Sequence, residues 1–189
     1  MKKLPDIKQL AGLVAKDNDK AAYEQLFYHF YENLSRFASS LLGHEAAADD
    51  MVSEVFVNIW RNRTHLGEIE NLQTYLYVSV RNLCMRYLSR KKTILLGLDA
   101  IDGDYLLSPY QTPEEKVLSA ELISKIEAAI QKLPPQCKLV FTLIKEDGIK
   151  YKDAAQILNI SLKTVEAQMA IAIKRIRLAV DTDFAHFRN

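Results

Sequence analysis

The chain has 189 residues, 49% apolar and 26% charged, enough for one ordinary domain or two small ones and globular rather than disordered. Its formal charge is only +1, so nucleic-acid binding must be argued from local clusters and not from the molecule as a whole. Cys84 and Cys137 lie far apart without a C-x-x-C pattern and the four histidines are scattered, which predicts two buried thiols in a reducing cytoplasm, no metal site and no cofactor.

Six glycines and five prolines in the whole chain favour helices over a turn-rich sheet protein. The opening MKKLPDIKQLAGLVAKDND is basic at its tip, but Pro5, Asp6, Lys8 and Gln9 interrupt any apolar run, so no secretory leader is expected. No stretch approaches the roughly 20 apolar residues of a membrane span.

Four helices are predicted in the first half. A short one covers about 6–16, and a second follows Asn18 or Asp19 as cap and runs to about Leu42. Its apolar residues Leu26, Phe27, Phe30, Leu34, Phe37 and Leu41 recur at three- and four-residue steps, the mark of a buried stripe. Gly43, free to adopt positive φ, ends it. The third is expected from about Ala46 to Arg63 and the fourth from about Asn71 to Lys92.

In the third helix Val52, Val55, Phe56 and Ile59 make the core stripe. Asp50, Ser53, Glu54, Val57 and Arg61 fall on the opposite face, an acidic surface around an exposed valine that suits either a partner or plain solvent. The fourth helix interleaves Tyr75, Tyr77 and Tyr87 with Arg81, Asn82, Arg86, Arg90, Lys91 and Lys92, with no acid between Asn71 and Lys92. Aromatics with cations are what a single nucleic-acid strand needs, for stacking and for the backbone. The same pattern is met if the tyrosines are core and the cations merely solvated.

From Thr93 to Pro113 periodicity stops, and glycines, prolines and acids mark a linker. Its apolar residues, Ile94 and Leu106 among them, suggest that it docks. Helical patterning resumes at Glu114 and breaks once at Leu133-Pro134-Pro135, with Pro135 suited to a first helical turn. Within GIKYKDAAQILNISLKTVEAQMAIAIKRIRLAV, a helix from Tyr151 to Leu158 is followed by Asn159, which tolerates a left-handed turn. Ser161 can cap the next helix. Ala154 and Ala155 permit a close crossing, with Ile157, Leu158, Ile160, Val165 and Met169 between the two helices. This is a helix-turn-helix pattern, and it leaves Lys163, Thr164, Glu166, Ala167 and Ala170 facing outward, where a recognition helix meets base edges. Lys174, Arg175 and Arg177 can reach phosphates. A bare hairpin with a solvated polar face fits the spacing too.

Four strings in order bear on these alternatives. AADDMVSEVFVNIW resembles the polymerase-binding helix of RNA polymerase sigma factors of the extracytoplasmic-function (ECF) subfamily. ENLQTYLYVSVRN resembles their promoter-melting segment, TPEEKVLSAE the entry to their second domain, and LPPQCKLVFTL with the helix-turn-helix their C-terminal domain. The resemblance spans roughly residues 20 to 180. It implies an all-α protein of two small helical domains on a flexible linker: 1–92 for core polymerase and the −10 element, 93–113 as tether, and 114–189 for the −35 element. It implies further that Asp50, Ser53, Glu54 and Val57 dock on core RNA polymerase. The stretch Arg61 to Tyr75 captures a flipped base, and Asn71, Tyr75, Arg81, Asn82, Arg86, Arg90 and Lys91 contact −10 DNA. Lys163, Thr164, Glu166, Ala167, Lys174 and Arg175 face the −35 element, and an anti-sigma protein is an expected partner.

Several positions depart from the family pattern. Tyr75 stands where many members carry tryptophan, Asn159 replaces a commoner glycine, and Glu166 with Ala167 replaces a basic-plus-small pair. No nucleophile–base arrangement or phosphate loop is present, so no catalytic residue is expected. Two rivals remain at this point: a helix-turn-helix regulator that binds operators without polymerase, and a helical adaptor with no role on DNA.

Overall fold

The computed structural model describes residues 6–95 and 119–184, with side chains over 6–90 and 123–179. The expected docking of the linker 93–113, the TPEEKVLSAE entry segment, most of the terminal DTDFAHFRN tail and the Lys91 side chain lie outside the described residues or side chains. Among the described residues the structure is all helical, with no strand. It divides between Leu106 and Leu107 into two compact units.

The front unit holds α1 (Ile7–Asp17), α2 (Lys20–Leu42), α3 (Glu45–Arg61), a 3-10 stretch (Arg63–Glu68) and α4 (Leu72–Leu95). Local chemistry sets most of the boundaries. The Asp6 carboxylate accepts the Gln9 N–H at 3.1 Å to start α1, and Asp19 accepts from Ala21 and Ala22 at 2.8 and 3.1 Å to start α2. Between them Asn18 takes the left-handed conformation at φ 54°. Gly43, at φ 67°, closes α2. Asn71 accepts the Thr74 N–H at 3.1 Å and so caps α4.

The core of this unit is the shared side of α2, α3 and α4. Leu26, Phe30, Leu34 and Phe37 are buried from α2, and Val52, Val55, Phe56 and Ile59 from α3. Phe27 and Leu41, expected in the same stripe, are only half-buried, and Leu42 takes the buried place. Phe27 instead packs edge-on against Phe56, centroids 4.8 Å apart. The third helix ends at Arg61 rather than Arg63, because the chain tightens there into the 3-10 stretch that sends Leu66 into the core.

The back unit holds α5 (Ser119–Gln131), α6 (Pro135–Phe141), a π turn (Thr142–Glu146), α7 (Tyr151–Leu158) and α8 (Leu162–Phe184). Pro135 occupies the first turn of α6 as its lost N–H allows. Leu133 and Cys137 pack with Ala172 of α8, flanked by Ile130, Phe141 and Ile176. The two cysteines are free and buried. Burial pushes the Cys84 thiol up to about 12, and the Cys137 thiol donates to the Gln168 side-chain carbonyl at 2.8 Å.

Candidate protein- and nucleic-acid-binding faces

The turn between α7 and α8 is a Schellman closure. Asn159, at φ 54°, donates its N–H to the Gln156 carbonyl at 3.2 Å, and Ile160 donates to Ala155 at 3.1 Å. Ser161 Oγ then accepts the Thr164 N–H at 3.0 Å and shares a hydrogen bond with the Thr164 hydroxyl at 2.8 Å. Ala154, Ala155, Ile157, Val165 and Met169 are buried in the crossing, while Leu158 and Ile160 are half-buried at its edge. Helix, tight turn and capped helix therefore form as the sequence indicates.

That crossing fixes which side of α8 faces outward. Lys163, Glu166, Ala167, Ala170 and Lys174 are exposed, and Thr164 is half-buried with its hydroxyl engaged at the cap. Arg175 is exposed but lies about 100° around the helix from Lys174. Its charge acts on Cys137, whose thiol is raised by burial and lowered in part by that guanidinium. Arg175 thus belongs to the flank towards α6 rather than to the stripe that carries Lys163.

On α3, Asp50, Ser53, Glu54 and Val57 are all exposed and share one face at the i, i+3, i+4, i+7 spacing. Val57 keeps 47% of its surface in solvent, and an aliphatic side chain among acids on an exposed helix gains nothing from water. Trp60 closes the helix by packing on Tyr23, centroids 4.9 Å apart, with the Arg63 guanidinium 4.8 Å over its ring. Arg63 also donates to the Trp60 carbonyl at 3.0 Å and to Asn18 Oδ1. This one side chain therefore ties the end of α1 to the end of α3 at the root of the 62–71 segment.

The tyrosines of α4 separate. Tyr75 and Tyr87 are exposed, whereas Tyr77 is fully buried against Phe37, 5.1 Å between centroids. Tyr77 is thus a core residue and not a stacking platform. Tyr75, Asn82 and Arg86, seven and eleven residues along, fall within about 20° of one line on the helix, all exposed. Arg90 is exposed about 40° further round. Arg81, half-buried and reaching Asn82 Oδ1 at 3.4 Å, lies about 140° from Arg86, so it is not on the same face. Asn71 sits at the helix entrance with its amide oxygen engaged as cap.

Beside that entrance is a shallow cleft of about 230 Å³, lined by Ile7, Lys8, His29, Phe30, Leu66, Ile69, Asn71 and Gln73 among others. Burial lowers the basicity of His29 there. The contribution of α1 and His29 was not read from the sequence, since only the fold brings positions 7, 29 and 70 together.

The comparisons with known proteins bear on both units. The family model described as Sigma-70 region 2 matches residues 26–94, and Sigma-70, region 4 matches residues 123–176. The two span well over half of the chain, in family order. It belongs to the sigma-70 family.

Within that family this sigma factor is of the ECF type and directs transcription initiation as an alternative sigma factor. It is 26% identical to the ECF sigma factor SigW of Bacillus subtilis over 82% of this chain and 86% of that one. Against the RNA polymerase sigma-H factor of Pseudomonas aeruginosa the identity is 24%, covering 86% of each chain. The Escherichia coli sigma-E factor gives 25%, also over 86% of each. In fold, this sigma factor is similar to Bartonella quintana RpoE, solved with the anti-sigma factor NepR, at a TM-score of 0.61 and 20% identity over 85% and 98% of the two chains. It is also similar to CnrH, solved with the cytosolic domain of CnrY, at 0.54 and 20% over 93% and 97%. No described helix is long and apolar enough to cross a membrane.

Proposed function

We propose that residues 1–92 grip core RNA polymerase and melt the −10 element, that 93–113 tether, and that 114–189 read the −35 element. The observation that carries this reading is the separation of exposed faces inside the front unit. Asp50, Ser53, Glu54 and Val57 are exposed on α3, and Tyr75, Asn82 and Arg86 on α4, two different helices that share one core. Protein and DNA can be held together only if their faces do not compete.

The step performed is physical. A base lifted from the stack costs a few kcal/mol, which stacking on an exposed ring of the Tyr75 kind, about 1–3 kcal/mol per base, can offset. Arg86 and Arg90 flank that ring for the backbone, with Lys91 following in sequence. Asn71, as cap, holds the helix entrance in place, and Arg81 supports Asn82 from the side. On duplex DNA the outward α8 residues Lys163, Glu166 and Ala167 face base edges, while Lys174 and Arg175 meet phosphates and Thr164 holds the cap. The polymerase carries out the chemistry, and the sigma factor adds selection without a catalytic group of its own.

Such a protein works where the chromosome is, in the cytoplasm. An anti-sigma protein that covers the α3 face would hold it inactive, as the complex of the fold relative RpoE with the anti-sigma factor NepR suggests. The test is run-off transcription. Purified chain added to sigma-free core polymerase should produce discrete starts on genomic promoter fragments, and absence of start-site selection would refute the proposal.

A further inference from the structure

The outward stripe of α8 has an unusual make-up for a surface offered to a polyanion. Val165, Met169 and Ala172 are at most 1% exposed and anchor the opposite side of the helix. The direction away from them falls on Lys163, Ala167, Ala170 and Lys174, with Glu166 on one flank of it, about 60° from Lys163 and about 40° from Ala170. Glu166 is exposed and has no hydrogen bond or ion pair among the described residues. An unpaired carboxylate here is repelled by phosphates unless some group on the DNA donates to it.

In the major groove the donors are the amino groups of cytosine and adenine. Adenine sets its amino group beside the N7 acceptor, which repels a carboxylate, whereas cytosine has no acceptor next to its own on the same base edge. A carboxylate therefore favours cytosine. Ala167 and Ala170 add only methyl groups, which can neither donate nor accept and which suit the C5-methyl of thymine. The Thr164 hydroxyl, already bonded to Ser161 Oγ at 2.8 Å, is committed to the cap.

We propose that Glu166 is the specificity-determining residue of the back unit: its carboxylate selects a cytosine through the exocyclic amino group, and Ala167 and Ala170 admit thymine methyls on neighbouring pairs. This rests on the reading of α7 and α8 as the −35 reader. Glu166 and Ala170 are four residues apart, about 6 Å along the helix. The selected thymine therefore lies within about two steps of 3.4 Å from the cytosine.

The experiment uses holoenzyme assembled from the full chain and core polymerase, transcribing a promoter library randomised over the −35 element. Wild type should enrich cytosine at one position. Glu166→Gln, which presents donor and acceptor together, should transfer the preference to adenine, and Glu166→Ala should abolish it. The change in cytosine preference should be about five- to 150-fold, with other positions unaltered. Replacing the adjoining thymine by deoxyuridine should weaken wild-type promoter use several-fold. A −35 motif that survives unchanged in Glu166→Gln, or one without cytosine, overturns the proposal while leaving the −35 reading intact. A wild-type library with no −35 preference overturns both.

Discussion

The turn at Asn159 allows a test with two opposite outcomes from one backbone angle. At φ 54° and ψ 47° the residue is in the left-handed region, which costs an ordinary side chain about 1–2 kcal/mol through the clash of Cβ with the following carbonyl. Asparagine tolerates it and glycine pays nothing for it. Asn159→Gly should therefore leave the back unit as stable as wild type or slightly more so. Asn159→Val brings a β-branched side chain to the same angle and should cost about 1–3 kcal/mol. For a unit of this size that corresponds to a fall of roughly 4–8 °C in Tm per kcal/mol. The readout is hydrogen–deuterium exchange of peptides from 151–176 combined with run-off transcription from a −35-dependent promoter. Valine should speed exchange there and lower −35-dependent initiation, and glycine should do neither. Unchanged exchange in Asn159→Val, or a loss in Asn159→Gly, would show that the turn geometry does not govern the crossing of α7 and α8.

Other perturbations separate the remaining faces. Glu54→Lys, on an exposed mid-helix position, should abolish capture of core polymerase while circular dichroism stays unchanged. Tyr77→Ala should cost about 3–5 kcal/mol in urea unfolding, since the ring is fully buried against Phe37. Tyr75→Ala should leave stability nearly as it was and slow promoter opening, measured by permanganate footprinting of the melted strand. The Cys84 thiol, raised from 9.0 to about 12 by burial, stays protonated in the folded unit at pH values where the unfolded chain ionises. Its contribution to stability is complete below pH 9 and lost as pH rises from 9 towards 12, which urea midpoints across that range will show.

Where sequence reading succeeded, the deciding chemistry was local. Asp19, Gly43, Asn159 and Ser161 each act on backbone groups within five residues. The periodic stripes of α2 and α3 likewise identify their own inward sides. It failed where distance along the chain separates the partners. Tyr75 and Tyr77 sit in one run, TYLYVSV, and it takes tertiary packing, in which Phe37 of α2 meets the ring, to bury the second. The clasp of Arg63 on Trp60 and Asn18 joins positions 45 residues apart. Gly67, in a segment that reads as plain loop, comes against Ala15 of α1, whose methyl is 3.6 Å from where a Cβ on the glycine would stand. The faces could be foreseen by spacing, and so could the flank positions of Arg81 and Arg175, because one residue of offset turns a side chain through about 100°.

That sensitivity also explains how a chain only about a quarter identical to its relatives keeps the family's architecture. Buried positions such as Leu34, Val52 and Val165 ask for an apolar side chain of suitable volume, and many exchanges satisfy them. Outward positions on α8 make no such demand on the fold, since Glu166 and Ala167 touch nothing that stabilises the unit. Replacement there costs little stability, so the fold leaves those positions free to change. The same freedom is denied to Asn159 and Ser161, whose backbone bonds aim the helix. On the proposed −35 reading, the promoter recognised can therefore drift while the way it is presented stays fixed.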